Sequence, residues 1–157
     1  MPRLSVNVWG CLSNDCKMDL VFIQGNLNAR KYVDDVLRAE VDAHMDNHAL
    51  ADRPIFIQDG AAPHTARMSQ DFLHNADIDV MLWPSKSPDL NPIEHIWAFM
   101  LKTIRAMNPL PRTAIELRQA VEAAWQTVSQ ARIRRLVSSM LRRIRAVVEA
   151  EGGSTGY

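Results

Sequence analysis

Short apolar runs separated by polar breaks begin the chain and predict a β-hairpin. Residues 4–12 are apolar and include β-branched side chains, a composition typical of a strand. Asn14 and Asp15 favour a turn, and residues 19–24 supply a second apolar run. We therefore expect the two runs to pair as neighbouring strands joined by that turn.

The following part of the chain alternates helical and extended patterns. Residues 29–49 predict a helix, because apolar side chains recur there at helical spacing. These side chains are Tyr32, Val33, Val36, Leu37 and Val41. Residues 54–58 form a continuous apolar run, which predicts a strand buried on both faces. Residues 64–75 predict a helix, and residues 78–83 predict another short strand. The inner face of that helix is expected to carry Met68, Phe72 and Leu73.

Proline-rich breaks separate the helices predicted for the rest of the chain. Residues 83–92 hold three prolines, which are not compatible with a helix interior. Asn91 followed by Pro92 predicts a helix start, and that helix is expected to reach about residue 107. Two further helices are expected at residues 113–128 and 131–150.

This order of elements predicts an α/β fold in which a hairpin is followed by crossover helices. Crossover units place ligand sites at the carboxyl ends of strands, and Asp59 stands at the end of the apolar run 54–58. No apolar run approaches the roughly 18 residues of a membrane span, so no membrane partner is expected. Cys11 and Cys16 are too few for a disulfide framework and are expected to be free thiols.

The net charge of zero hides an asymmetry along the chain. Residues 1–99 carry 8 Lys and Arg against 14 Asp and Glu, whereas residues 100–157 carry 10 against 4. In residues 131–150 the arginines fall largely off the predicted apolar stripe. Such a basic face suits either contact with a phosphate backbone or simple solvation. The candidate DNA-backbone contacts are Arg134, Arg135, Arg142 and Arg143.

Asp59 and Glu94 are candidate metal ligands with ordinary alternatives. Phosphoryl transfer on DNA requires charge neutralisation, which divalent ions held by carboxylates from separate elements provide. Asp59 ends an apolar run, and Glu94 lies in the first turn of a predicted helix. Asp59 followed by Gly60 also suits a simple turn, and Glu94, three residues after Asn91, also suits a capping box.

Two strings around these acids resemble the DDE transposases of the Tc/mariner superfamily, and in particular the Tc-type branch. They are IQDGAAPHTA at residues 57–66 and WPSKSPDLNPIEHIW at residues 83–97, with 34 residues between Asp59 and Glu94. The resemblance implies an α/β, ribonuclease-H-like fold, a mixed sheet flanked by helices. It also implies that Asp59 and Glu94 are catalytic, metal-binding acids. His64 matches a histidine near the second acid, where it suits either a polar group close to the phosphate or a helix start.

The resemblance further implies that the fold is incomplete at its amino terminus and carries extra carboxyl-terminal helices. The expected organisation is a partial catalytic domain at residues 1–108, a helical extension at 109–151 and a flexible tail at 152–157. The family's first catalytic Asp belongs to a strand that precedes VWGC, and no residue before Val8 matches it. Binding of Mg²⁺ or Mn²⁺ is therefore expected to be weak, and this chain is expected to be inactive alone.

Three hypotheses follow for the function. The chain is a transposase catalytic-domain fragment for DNA cleavage and strand transfer, or a non-catalytic nucleic-acid-binding or interaction protein retained by a host. In the third hypothesis it completes an active site by association with another transposase chain. DNA is the partner that the resemblance implies, and the nucleus is the location.

Overall fold

The computed structural model describes residues 4–47, 54–83 and 90–150. Its elements, in chain order, are β1 (Asn7–Trp9), β2 (Val21–Ile23), α1 (Ala29–Lys31), a π-helical segment (Tyr32–Asp42), α2 (Ala43–Met45), α3 (Ala62–Thr65), α4 (Arg67–Asn75), α5 (Pro92–Arg105), α6 (Ala114–Gln126), α7 (Gln130–Ser138) and α8 (Met140–Glu149). The chain divides into two compact units. In the described ranges, the sheet unit comprises residues 7–9, 21–47 and 54–83, and the helical unit comprises residues 4–6, 10–20 and 90–150.

The predicted hairpin is present in the sheet unit. Strands β1 and β2 pair in antiparallel register, with Val8 opposite Phe22. Gly25, at φ 67°, follows β2 in the left-handed region that glycine adopts without strain. The side-chain amide of Asn7 donates a hydrogen bond to the Gly25 carbonyl at 2.5 Å, which ties the start of β1 to the chain that leaves β2.

A continuous helical stretch follows the hairpin, as the apolar spacing predicts. It begins after Asn28, whose side chain accepts a hydrogen bond from the Lys31 amide at 2.9 Å. Helix α1, the π-helical segment and α2 then run without a break to Met45. All five predicted core positions are buried: Tyr32, Val33, Val36, Leu37 and Val41. The predicted end of this helix at residues 48–49 lies outside the described residues.

The apolar run 54–58 is extended, but its predicted burial on both faces is wrong. The amide of Phe56 donates to the Asp79 carbonyl, and the Phe56 carbonyl accepts from the Met81 amide, which forms a parallel bridge between Phe56 and Val80. Phe56 is buried, whereas Ile55 and Ile57 are exposed. Successive side chains of a strand point to opposite faces. The face that carries Phe56 is covered by the sheet unit, and the face that carries Ile55 and Ile57 is not.

The helix predicted for residues 64–75 is divided in two, and its predicted inner face is confirmed at Leu73 but not at Met68. Ala66 has an extended ψ of 142° and separates α3 from α4. This break sets the orientation of α4, so that Leu73 and Ser69 are buried while Met68 is 42% exposed. The Ser69 hydroxyl donates to the Pro63 carbonyl at 2.6 Å, which satisfies the buried polar group. The expected inward position of Met68 is therefore wrong.

Two tryptophans form the centre of the helical unit. Trp97 on α5 stacks on Trp125 of α6 with ring centroids 5.7 Å apart. The indole N–H of Trp125 donates to the Met18 carbonyl at 3.0 Å. The backbone of Gly10 packs so closely here that a Cβ would lie 3.0 Å from both Leu20 and Trp97. Trp97 is therefore a packing residue of the helical unit.

The carboxyl-terminal helix predicted for residues 131–150 is two helices, α7 and α8, that meet at Ser139. The Ser139 hydroxyl donates to the Leu136 carbonyl at 2.7 Å, a bond from side chain to backbone that competes with helix continuation. The face that α8 buries differs from the predicted apolar stripe. Arg143 is 3% exposed, whereas Leu141 and Val148 are each 71% exposed.

None of the helices within the described ranges is long and apolar enough to cross a membrane. The predicted proline-rich loop falls largely on residues 84–89, and the predicted tail on residues 152–157. Both segments lie outside the described part of the chain. The expected boundary between residues 108 and 109 stays a prediction.

Candidate metal-binding and nucleic-acid-binding residues

Asp59 directly follows the extended segment at residues 54–58. In that segment Phe56 forms the parallel bridge with Val80. Its side chain is 53% exposed. Carboxylate Oδ1 accepts a hydrogen bond from the Ala61 amide at 3.0 Å, the geometry of an Asx turn. The same oxygen lies 2.6 Å from His64 Nδ1. No residue in the described ranges donates a hydrogen bond to Oδ2.

His64 belongs to the single turn of the short helix α3 (Ala62–Thr65), so both of its predicted roles stay open. The His64 side chain is 12% exposed. Because an ionised carboxylate only accepts hydrogen bonds, Nδ1 of His64 is the donor to Asp59. The imidazole packs against the ring of Tyr32 with centroids 4.3 Å apart and planes tilted by 38°.

Glutamine side chains and the Tyr32 hydroxyl complete the surroundings of His64. The Tyr32 hydroxyl donates to Gln58 Oε1 at 2.6 Å. Gln70 Nε2 donates to the His64 carbonyl at 2.8 Å, and Gln58 Nε2 donates to the same carbonyl at 3.4 Å. No sequence pattern predicts Tyr32, Gln58 and Gln70 as neighbours of His64, since their contacts depend on tertiary packing.

Glu94 lies in the first turn of α5, after Pro92 at the first helical position. Asn91 caps this helix, because its side-chain oxygen accepts from the Ile93 amide at 3.3 Å. The reciprocal bond of a capping box, from the Asn91 amide to the Glu94 carboxylate, is not formed. Glu94 is exposed, and its carboxylate has no hydrogen bond or ion pair with any residue of the described ranges. The alternative reading of Glu94 as a capping-box residue is therefore wrong.

Asp59 belongs to the sheet unit and Glu94 belongs to the helical unit. Both offer carboxylate oxygens, the donors that Mg²⁺ and Mn²⁺ prefer. Residues 4–47, 54–83 and 90–150 contain no group of three His, Cys, Asp or Glu side chains placed to hold a metal ion. The donor chemistry of each acid fits a hard divalent cation.

The four candidate DNA-backbone arginines differ in exposure. Arg134, Arg135 and Arg142 are exposed, whereas Arg143 is buried. Arg134 also donates from Nε to the Asn14 carbonyl at 3.2 Å, which joins α7 to the loop after β1. The expectation that Arg143 lies on the outer face is wrong, because α8 buries Arg143 and exposes Leu141 and Val148 of the predicted apolar stripe.

A family model described as DDE superfamily endonuclease matches residues 2–118, and the chain belongs to this family. The chain is 34% identical over 159 residues to the Tcb1 transposase of Caenorhabditis briggsae, covering 98% of this chain and 55% of that protein. It is 29% identical over 153 residues to the Tc3 transposase of Caenorhabditis elegans, covering 98% of this chain and 46% of that protein. The chain therefore spans about half the length of these curated relatives.

Solved structures show the fold. The Mos1 transposase catalytic domain, solved with raltegravir and Mg, matches 96% of this chain and 77% of that chain, with a TM-score of 0.77 and 18% identity. The Mos1 strand transfer complex matches 96% of this chain and 43% of that chain, also with a TM-score of 0.77, at 19% identity. The predicted ribonuclease-H-like fold and the resemblance to Tc-type DDE transposases are confirmed.

Proposed function

We propose that this chain supplies part of the machinery for DDE-type DNA cleavage and strand transfer, with Asp59 and Glu94 as ligands of Mg²⁺ or Mn²⁺. One observation carries the proposal: both acids fall within the residues that match the family, and each presents an exposed carboxylate. A metal ion bound there would neutralise charge on the scissile phosphate. The protein's own contribution is to hold the carboxylates in place, Asp59 through an Asx turn and Glu94 through a capped helix start.

We propose further that this chain alone lacks robust activity. With two carboxylates and no third ligand in the described ranges, the two-metal arrangement that phosphoryl transfer uses lacks a donor. A further carboxylate, from residues beyond this chain or from another transposase chain, would complete it. DNA as substrate belongs to the same proposal and is supported by the family and by the strand transfer complex of the structurally similar Mos1 protein. The nucleus is proposed as the location on the resemblance to the family alone.

Exposed arginines on α7 and α8 are the proposed contacts to the DNA backbone. Arg135 and Arg142 are exposed, on consecutive helices of the helical unit. Guanidinium groups bind phosphate oxygens without reading sequence. Their role is therefore to retain DNA rather than to select it.

The test is a DNA cleavage and strand-transfer assay in Mg²⁺ or Mn²⁺. The purified chain is expected to give no product above the level of an Asp59→Asn, Glu94→Gln double variant. A chimera of the Caenorhabditis elegans Tc3 transposase, carrying this chain in place of its matching segment, is expected to be active. Either single substitution should lower that activity by at least about a hundredfold, because each removes a metal ligand.

Robust activity of the isolated chain that depends on Asp59 would overturn the proposed inactivity. A chimera that stays active without both acids would overturn the proposed ligands.

A further inference from the structure

We propose that His64 is a positioning residue that fixes the Asp59 carboxylate so that it offers Oδ2 alone to a divalent cation. This inference rests on the proposed function, because it assumes that Asp59 binds metal. It adds a role for His64 that acts through Asp59 rather than through contact with phosphate.

Both hydrogen bonds to Asp59 fall on one oxygen. The Ala61 amide and His64 Nδ1 approach Oδ1 at 3.0 Å and 2.6 Å. Two donors on one oxygen restrict rotation of the carboxylate and leave the second oxygen without a donor in the described ranges. Asp59 is therefore arranged to bind a cation through one oxygen.

The imidazole is held independently of Asp59. Tyr32, fully buried, packs against one side of the ring. Gln58 accepts a hydrogen bond from the Tyr32 hydroxyl and donates one to the backbone carbonyl of His64. Gln70 donates a second hydrogen bond to the same carbonyl. These contacts fix the ring and its backbone before any metal binds. Folding therefore already orders the imidazole that donates to Asp59, so metal binding does not carry that entropy cost.

The geometry disfavours a direct phosphate contact by His64. Nδ1 is engaged with Asp59, and the side chain is 12% exposed. Only Nε2 would remain for a phosphate oxygen, on a ring that Tyr32 covers. The position of the ring instead matches the support that ligating carboxylates receive from neighbouring hydrogen bonds in metal sites.

The experiment measures Mn²⁺ binding to the full 157-residue chain by NMR, through paramagnetic broadening of the Gly60 and Ala61 amide signals. This readout detects weak binding and needs no activity. His64→Phe keeps a ring against Tyr32 and removes the donor, whereas His64→Asn keeps a donor near the position of Nδ1. His74→Asn, at an exposed histidine on α4, is the matched control.

We expect His64→Phe to weaken Mn²⁺ binding about tenfold, the size of effect that second-layer hydrogen bonds have in metal sites. His64→Asn should recover most of the loss, and His74→Asn should bind as the natural chain does. In the metal-free protein, the ¹⁵N shifts of the neutral His64 ring should place its hydrogen on Nδ1. Unchanged binding in His64→Phe, or a hydrogen on Nε2, would overturn the inference.

Two comparisons keep the outcomes separate. If Asp59→Asn leaves Mn²⁺ binding unchanged, the proposed ligand itself fails. If Asp59→Asn abolishes binding while His64→Phe does not alter it, only the positioning role fails.

Should His64→Phe not fold, His64→Gln replaces it, because the Gln amide reaches the position of Nε2 instead. Tighter binding in His64→Asn than in His64→Gln supports the inference, and equal binding overturns it.

Discussion

Lys17 donates hydrogen bonds from its ammonium group to the backbone carbonyl of Trp125 at 2.5 Å, and the same group reaches the Val128 carbonyl at 3.0 Å. The ammonium also lies 5.4 Å from the centre of the Trp125 ring. Carbonyls at the end of a helix lack partners inside the helix, and a cation there also meets the negative end of the helix dipole. One lysine of the loop after β1 thus stabilises the end of α6.

Removing that ammonium should destabilise the protein. Lys17→Met retains the length of the side chain and leaves the two carbonyls without their charged donor, so we expect a loss of about 1–2 kcal/mol in the free energy of unfolding. Urea unfolding followed by tryptophan fluorescence measures it. Lys102→Met, at an exposed lysine of α5, is the control and should change stability little. Equal effects of the two substitutions would show that Lys17 does not cap α6.

The two glycines Gly10 and Gly60 should respond differently to an added methyl group. In Gly10→Ala the Cβ would meet Leu20 and Trp97 at 3.0 Å, so the packed side chains must shift. We expect a cost of about 1–3 kcal/mol, typical of overpacking. No atom of the described residues lies within 4 Å of the corresponding position in Gly60→Ala, which should be close to neutral. Thermal denaturation compares them, and a neutral Gly10→Ala would contradict the tight packing around Trp97.

Burial, and secondarily the neighbouring Cys16, raises the pKa of the Cys11 thiol to about 11. Only about one molecule in a thousand should carry the Cys11 thiolate at pH 8, so alkylation by iodoacetamide should be slow and should rise with pH up to about 11. In a Cys16→Ala background, mass spectrometry follows Cys11 alone. Alkylation as fast in the folded as in the urea-unfolded protein at pH 8 would contradict the buried thiol.

The raised pKa of Cys11 also links stability to pH. The folded state holds the thiol proton more tightly than the unfolded state does. The resulting stabilisation is therefore complete below about pH 8.5 and is lost as the pH rises through 11. Cys11→Ala should lack this component of the decline, which chemical denaturation at pH 8 and pH 10 would reveal. An identical decline in both proteins would exclude Cys11 as its source.

Charge reversal at Arg135 and Arg142 should reduce the salt dependence of DNA binding. Each phosphate contact contributes roughly one unit to the slope of log K against log salt concentration, so the double substitution to Glu should lower the slope by about 2. Fluorescence anisotropy with a labelled duplex measures this slope.

Arg67→Glu, at an exposed arginine of α4, is the control. An unchanged slope would assign the two arginines to a solvated face. Arg143 is unsuitable for this test, because its burial would confound binding with folding.

The sequence predicted most helices because each carries local signals. Asn91 with Pro92 and Thr113 mark helix starts, and the apolar spacing from Tyr32 to Val41 marks one buried face. The errors occur where a local break changes the phase of a helix. The breaks at Ala66 and Ser139 reverse the expected positions of Met68 and Arg143, and periodicity alone carries no information about such breaks.

The candidate acids could be identified from the sequence, but their surroundings could not. The strings around Asp59 and Glu94 identify both residues, whereas the spacing of residues does not show which side chain supports which. The contact between Tyr32 and His64 joins residues on separate helices and depends on how the sheet unit packs. Similarly, only the structure shows that Glu94 leaves the capping of α5 to Asn91.

The most direct test of the proposed metal ligands is Mn²⁺ titration of the full chain, followed by NMR line broadening near each acid. We predict that Mn²⁺ broadens the amide signals of Gly60 and His95. Asp59→Asn should abolish the broadening at Gly60, and Glu94→Gln should abolish it at His95. Glu116→Gln, at an exposed acid in the first turn of α6, should leave both signals as in the natural chain. Broadening that persists in both acid variants would contradict the assignment of Asp59 and Glu94 as metal ligands.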